Sequence, residues 1–385
     1  MKKRKVFAVT AAALAMSMTL AACGGSSSST PSTEAESAAA ESAEGAAEGS
    51  GEDLNSKTLD EITAAAKEEG EVQSVGMPDS WANWDLLWAN MKDNYGLAHT
   101  DADMSSSEEL QMFKTEGENA TKDMGDVGQG FGNQAIEEDL VQGYKTSYWD
   151  KVPDWAKGED GKWMIAYTGV TTFLSNNDQL NGEKAPTSWE DIKNGSYKVA
   201  LGDIGGGNAQ AAVIASAYAF GGDLNNLDPA FDFWTKLAED GRINTLDIVQ
   251  QNFETGEIQV GVVWSFTGIG YKDAITNYNM EATIPQDGAI MSGYASVINK
   301  YAPHPNAAAL TREVMFSDEG QSYLAEAGGI PTRTDYTVPE DIQAKTFPAS
   351  DYANAVPMTD NDAYAKACEE VQTRWNEEIL PLLNK

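Results

Sequence analysis

Strand-like and helix-like segments alternate along most of this chain, and that alternation restricts it to an α/β architecture. Thr58-Leu59-Asp60-Glu61 has capping-box spacing, Leu59, Ile62 and Ala66 follow at helical intervals, and Gly70 is placed as a stop. Together they predict a helix over about 58–69. Residues 72–76 read as a short strand, followed by a loop through Trp81 and a helical stripe of Trp84, Leu87, Trp88 and Met91. A capped helix is expected at 105–114, a strand and turn at 123–130, a long apolar, β-branched strand at 163–175, and a capping box at Thr187-Ser188-Trp189-Glu190. Further helices are expected at 208–220, 229–240, 267–276, 305–316, 318–327 and 360–383, and strands at 197–204, 258–264, 280–284 and 290–299. The consequence is α/β lobes with mainly parallel sheets, and 385 residues leave room for two separate cores.

The first residues belong to neither core. Lys2, Lys3, Arg4 and Lys5 precede an apolar run over 6–20 and then Leu20-Ala21-Ala22-Cys23-Gly24, the order of a signal peptide and too short for a membrane span. Leu-Ala-Ala-Cys-Gly resembles the lipobox of bacterial lipoproteins, which implies a diacylglycerol thioether on Cys23 and a mature chain starting there. Residues 24–54 are almost all Gly, Ser, Thr, Ala, Glu and Pro, without an aromatic or basic side chain, and read as a flexible acidic tether. With Cys23 lipidated, Cys368 is left alone on a helical stripe with Tyr364, Val371, Trp375, Ile379 and Leu382, as a buried thiol and not a nucleophile.

The formal net charge is -34, and losing the four basic residues before Cys23 makes the mature chain more acidic still. Such a chain lacks the basic footprint of a nucleic-acid binder. Catalytic chemistry is poorly supplied. The two histidines, His99 and His304, have no paired-ligand spacing, and no Gly-x-Ser-x-Gly occurs. Gly205-Gly206-Gly207-Asn208 lacks the lysine of a phosphate loop, and Gln210 breaks a Gly-x-Gly-x-x-Gly pattern. The stretch can still present backbone N–H groups at a helix start, and its glycines permit a close approach.

The segments WMIAYTGVTTFLSNND, PTSWEDIKNGSYKVALGDI, GGGNAQAAVIASAYAFGG, GEIQVGVVWSFTGIGY and YAPHPNAAALTREVMFSDEGQSYLAEAGGIPTR follow the lipobox and tether. In this order they resemble the family 1 extracellular solute-binding proteins of ABC importers, over roughly 56–383. The resemblance implies a type II periplasmic-binding-protein fold: two α/β lobes joined by two hinge crossings, near 167–174 and 289–297, with a ligand cleft between them. The implied layout is a signal peptide at 1–22, lipidated cysteine and tether at 23–54, lobe 1 at 55–170 plus 290–385, and lobe 2 at 171–289. It implies a small-molecule solute, a permease and its ATPase as partners, a monomer held outside the cytoplasm on the membrane by its lipid, no cofactor, no metal and no catalysis.

Carried over by position, the contact candidates in the first lobe are Asp79, Ser80, Trp81, Ser105, Ser106, Asp126 and Gln129. Thr168 and Thr171 come from the first crossing, Gly207, Asn208, Trp264 and Ser265 from the second lobe, and Tyr294 from the return crossing. No adjacent tyrosine pair occurs, which disfavours iron. Asp79, Asp126, Trp81, Trp264 and Tyr294 suit a polyamine or other organic amine or zwitterion, although Met291-Ser292-Gly293-Tyr294 lacks the aspartate that polyamine binders place about there. A phosphonate or sugar phosphate is the alternative, held by Gly207, Asn208, Ser105, Ser106 and Ser265. A surface receptor or an enzyme on the same fold stands behind both.

Overall fold

The computed structural model describes residues 53–383, part of one compact unit. The signal peptide, Cys23 and nearly all of the tether lie outside the described residues. Leu54, expected to end the tether, is instead buried in the core.

Twelve strands make up the sheet: β1 (Glu71–Val75), β2 (Ala98–Ala102), β3 (Met124–Gly128), β4 (Val141–Gln142), β5 (Trp163–Asn176) and β6 (Val199–Ala200). The others are β7 (Ile243–Asn244), β8 (Val260–Trp264), β9 (Met280–Thr283), β10 (Ile290–Asn299), β11 (Ile330–Pro331) and β12 (Val356–Pro357). The main order is β2-β1-β3-β10-β5-β8-β6-β7. Every residue of β5 is buried, as its unbroken apolar run requires. Its first half pairs with β10 and β11, and from Thr171 onward it pairs with β8 and β9. One strand therefore serves two half-sheets, and β10 returns beside it. The expectation of mainly parallel sheets is corrected here: β1, β2 and β3 are parallel, as are β6, β7 and β8, but β5 and β10 run antiparallel to their main neighbours. A strand that leaves one lobe and a strand that comes back must point in opposite directions.

Local signals explain the element ends. Thr58 and Ser105 form capping boxes with Glu61 and Glu108 at the starts of helices Leu59–Glu69 and Ser106–Glu116. At Ser188 the cap bonds the N–H of Asp191, so the helix starts one residue later than a box on Thr187 would give. The strand expected at 197–204 is only two residues long, because Gly202 turns left-handed (φ +80°) and peels the chain away. Fully buried Arg312 donates to Ser296 Oγ, Ser296 O, Tyr144 O and Gly161 O, fastening β10 to the segment ahead of β5. The C-terminal helix Asn361–Arg374 packs Cys368 against Gly130, then Arg374 reaches Asp228 at 3.0 Å and Trp375 meets Trp234 edge-on. Those residues follow helix Gly207–Ala219, so the C-terminal helices, expected within lobe 1, touch both sides of the cleft.

The two sides meet at glycines. A Cβ on Gly128, at the end of β3, would lie 2.9 Å from the Cα of Gly207, at the start of helix Gly207–Ala219, and Ser107 N–H donates to Gly205 O at 3.3 Å. Substituting Gly128→Val should therefore force the end of β3 away from the start of helix Gly207–Ala219. Far-ultraviolet dichroism should be unchanged, and scattering should give a larger particle than the parent protein.

Candidate functional site

The ends of β1 and β3 and the starts of helices Ser106–Glu116 and Gly207–Ala219 converge on a cleft of about 340 Å³. This is the crevice outside strand ends where open α/β sheets place ligands. Ahead of its mouth the chain passes through two non-glycine residues in the left-handed region, Ala82 (φ 49°) and Asn83 (φ 58°). The Asn83 side chain ties this bend to Tyr323 O at 3.0 Å, which fixes Trp81 beside the cleft.

A chain of hydrogen bonds orients the floor. Trp81 Nε1 donates to the Tyr167 hydroxyl at 3.0 Å, and that hydroxyl donates to Asp126 Oδ2 at 2.9 Å. Trp81 lies edge-on to Phe266 (5.2 Å) and Tyr294 (5.5 Å), so an aromatic wall stands above the carboxylate. The Tyr294 hydroxyl accepts from Trp264 Nε1 at 3.1 Å.

Six carboxylates line the cleft: Asp103, Glu108, Glu109, Asp126, Asp203 and Asp247. None of its lining residues is Lys, Arg or His. Glu108 is ionised locally, since bonds from Ser105 hold it below the usual carboxylate range. Asp126 behaves oppositely: burial, with a smaller push from Asp101, carries it up to about 8 despite the Tyr167 bond. Glu109 is raised well above its ordinary value, first by burial and then by the charges of Asp126 and Asp101. Both are 1% exposed, and Asp126 Oδ1 and Glu109 Oε2 have no hydrogen-bond partner.

Of the sequence candidates, Trp81, Ser105, Ser106, Asp126, Gly207, Asn208 and Tyr294 line the cleft. Several of these are already occupied. Ser105 is spent on its cap, Ser106 Oγ accepts from Gly128 N–H at 2.9 Å, and Asn208 Nδ2 donates to Val262 O at 2.9 Å, so its side chain points to the strands. The other candidates stand elsewhere. Asp79 and Ser80 are exposed in the loop outside the cleft. Gln129 is buried, donating to Met358 O and Asn361 and accepting from Ser292, which ties the C-terminal segment to β3. Thr168 and Thr171 turn toward the carbonyls of Ile330 and Ile290, Ser265 Oγ accepts from Val170 N–H, and Trp264 sits behind Tyr294. These four brace the crossing strands.

Glu109 escaped the sequence reading, although a signal existed. It falls with Ser106, Leu110 and Phe113 on the buried stripe of its helix, where a carboxylate has no reason to be unless something needs it. Gly76 and Gly125 make its room: a Cβ on either would lie 2.5 Å from a Glu109 carboxylate oxygen. A serine, a histidine and an aspartate do come together nearby, but not as a relay. Ser74 Oγ, fully buried, meets both His99 Nε2 (2.9 Å) and Asp101 Oδ1 (2.6 Å), and burial holds His99 down to about 4. The histidine is stacked on Trp88 and has no carboxylate behind it to orient it as a base.

Residues 119–356 match the model of a family described as bacterial extracellular solute-binding proteins. No curated protein matches the sequence. Among solved structures, the chain is similar to the periplasmic binding protein AfuA from Actinobacillus pleuropneumoniae with exogenous fructose-6-phosphate bound (TM-score 0.67, 19% identity, 80% of this chain and 98% of that one). It is also similar to iron-bound HitA from Pseudomonas aeruginosa (0.62, 16%, 79% and 98%) and to AgtB from A. tumefaciens R10 in complex with agropinic acid (0.64, 15%, 81% and 99%). At such identities the likeness is one of fold, the type II periplasmic-binding-protein fold.

The raised Asp126 carries a testable consequence for stability. In the unfolded chain its carboxyl ionises near the ordinary value of about 4, whereas in the folded protein it stays protonated up to about 8. Its contribution to stability is therefore largest below about 4, falls as pH rises between those values, and is level beyond. Asp126→Asn should remove that loss, so its melting temperature without solute, relative to the parent protein, should climb between pH 5 and pH 8 by about 3 °C or more. A constant difference across that range would contradict the assignment.

Proposed function

Since this chain belongs to the family of bacterial extracellular solute-binding proteins, we propose that it is the binding component of an ABC importer and captures a small cationic solute, an organic amine or zwitterion. The observation that carries the choice of solute is the lining of the cleft, six carboxylates and no basic side chain. A cationic head would gain Coulomb attraction and charge-assisted hydrogen bonds there, and Trp81 and Tyr294 offer ring faces and edges to its alkyl groups.

The solutes named for the structural neighbours fit less well. A sugar phosphate, as in AfuA, would bring its negative charge into a cleft lined by six acidic side chains and no basic one. Iron, as in HitA, asks for free anionic ligands. The hydroxyls of Tyr167 and Tyr294 are already hydrogen-bonded, and burial raises both above their ordinary range. Among the described residues no cluster of three or more His, Cys, Asp or Glu could hold a metal ion.

The rest of the reading follows the sequence. Cys23 carries the lipid, the tether holds the lobes outside the membrane, the chain acts as a monomer, and the cleft closes by hinging about β5 and β10 without chemistry of its own. Lobe 1 is formed by 55–170 with the segment from 290, and lobe 2 by 171–289, with the C-terminal helices shared.

Calorimetric titration with putrescine, spermidine, choline, fructose-6-phosphate and an aminophosphonate tests the choice. At least one amine should bind at micromolar concentration or tighter and shrink the particle in scattering, and Trp81→Ala should weaken it about tenfold. Binding of the phosphate ester with no response to any amine would overturn the cationic reading.

A further inference from the structure

The floor of the cleft holds two buried carboxyl groups, Glu109 and Asp126, and no basic side chain lines it. Glu109 occupies the room left by Gly76 and Gly125. Asp126 is oriented from behind by Tyr167, which is held in turn by Trp81. Each keeps one oxygen without a partner, and each lines the cleft. An unpaired polar oxygen at 1% exposure is costly, and two ionised carboxylates in one low-dielectric floor are costlier. Such a pair is stable only if it holds protons or a cation.

The groups around the pair supply no counter-charge. From β2 and the loop after it come Asp101, bonded to Ser74 and Met77 N–H, and Asp103. From β5 and β10 come the tyrosines 167 and 294, both protonated. Glu108, on the same helix, is turned to Ser105, and the opposite lobe offers Asp203 and Asp247 at the rim. The nearest histidine, His99, sits behind Ser74 and is neutral at physiological pH.

We infer that Glu109 and Asp126 form a proton-loaded receptor, and that a cationic solute enters by displacing a proton from this pair to solvent. The exchange balances: a carboxylic acid and an ammonium ion become a carboxylate–ammonium pair and a proton taken up by water or buffer. This rests on the cationic reading above and adds to it a rule for affinity. Solute capture is coupled to pH, and it should tighten about tenfold for each unit of rise while the pair remains protonated, then level off. Acidification would favour release, and a neutral isostere of the solute would leave the pair protonated and its polar contacts unmade.

Two measurements on the mature protein decide it. Without solute, infrared difference spectra at pH 7 should contain the carbonyl band of a buried protonated carboxyl group, reduced in Glu109→Gln and in Asp126→Asn. With putrescine and choline, whose charges barely change from pH 6 to pH 7, calorimetry in buffers of different protonation enthalpy should show about one proton released per solute bound at pH 7. Affinity should rise about tenfold from pH 6 to pH 7, and Glu109→Gln should flatten that dependence while keeping the parent's dichroism. No protonated band overturns the inference whatever binds. A cation bound without proton release also overturns it and leaves the cationic reading standing. A band present with no cation bound at millimolar concentration overturns both.

Discussion

Strand β5 sets the terms for everything else in the molecule. Fourteen consecutive residues, all buried, span roughly 45 Å, more than a single small sheet offers as partners. The strand resolves this by changing neighbours at about Thr171, from β10 on one side of the cleft to β8 and β9 on the other. Two half-sheets sharing one strand leave a crevice at the point of exchange. There the ends of β1 and β3 and the starts of two helices face one another, with Gly128 and Gly207 thin enough to let the lobes touch. The threonines at the exchange, Thr168 and Thr171, accordingly bond neighbouring backbone carbonyls and do not line the cleft.

The electrostatics of that crevice oppose stability. A core built for stability alone would place an apolar residue at Glu109, on the same helical stripe as Leu110 and Phe113. Instead the helix carries a carboxyl group, two strands supply glycines to make space for it, and a tryptophan–tyrosine chain orients a second one. Structural elements of three kinds, helix, strand end and loop, converge on an acidic floor where Glu109 Oε2 and Asp126 Oδ1 have no hydrogen-bond partner. Local rules broken in one place, with supporting residues arranged around the break, are the mark of a functional site.

Much of this was legible in the sequence, and the gaps have physical causes. Helix starts at Thr58 and Ser105 were readable because capping is a local interaction, and β5 and β10 because burial on both faces leaves a continuous apolar run. Strand β2, with its largely uncovered Ala-His-Thr-Asp-Ala, gave no hydrophobic period, since an edge strand need not have one. The strand through Leu201 was overlong in the reading because apolar composition does not reveal the left-handed turn at Gly202. Trp81, Asp126 and Tyr294 line the cleft as their positions in the chain suggest, whereas the burial of Glu109 depends on Gly76 and Gly125, distant in sequence. Thr168, Gln129 and Ser265 were polar in the right segments, yet their hydrogen bonds turn inward.

The central claim is that the carboxylate floor exists for a cation, and the solute carried from the cell gives the most direct test. Native mass spectrometry of the protein, isolated from its own host without denaturation, reports the mass of the bound molecule. Release and fragmentation then identify its chemistry. The account predicts an organic amine or zwitterion, at one molecule per chain. A phosphate ester or a ferric ion in that position would contradict it.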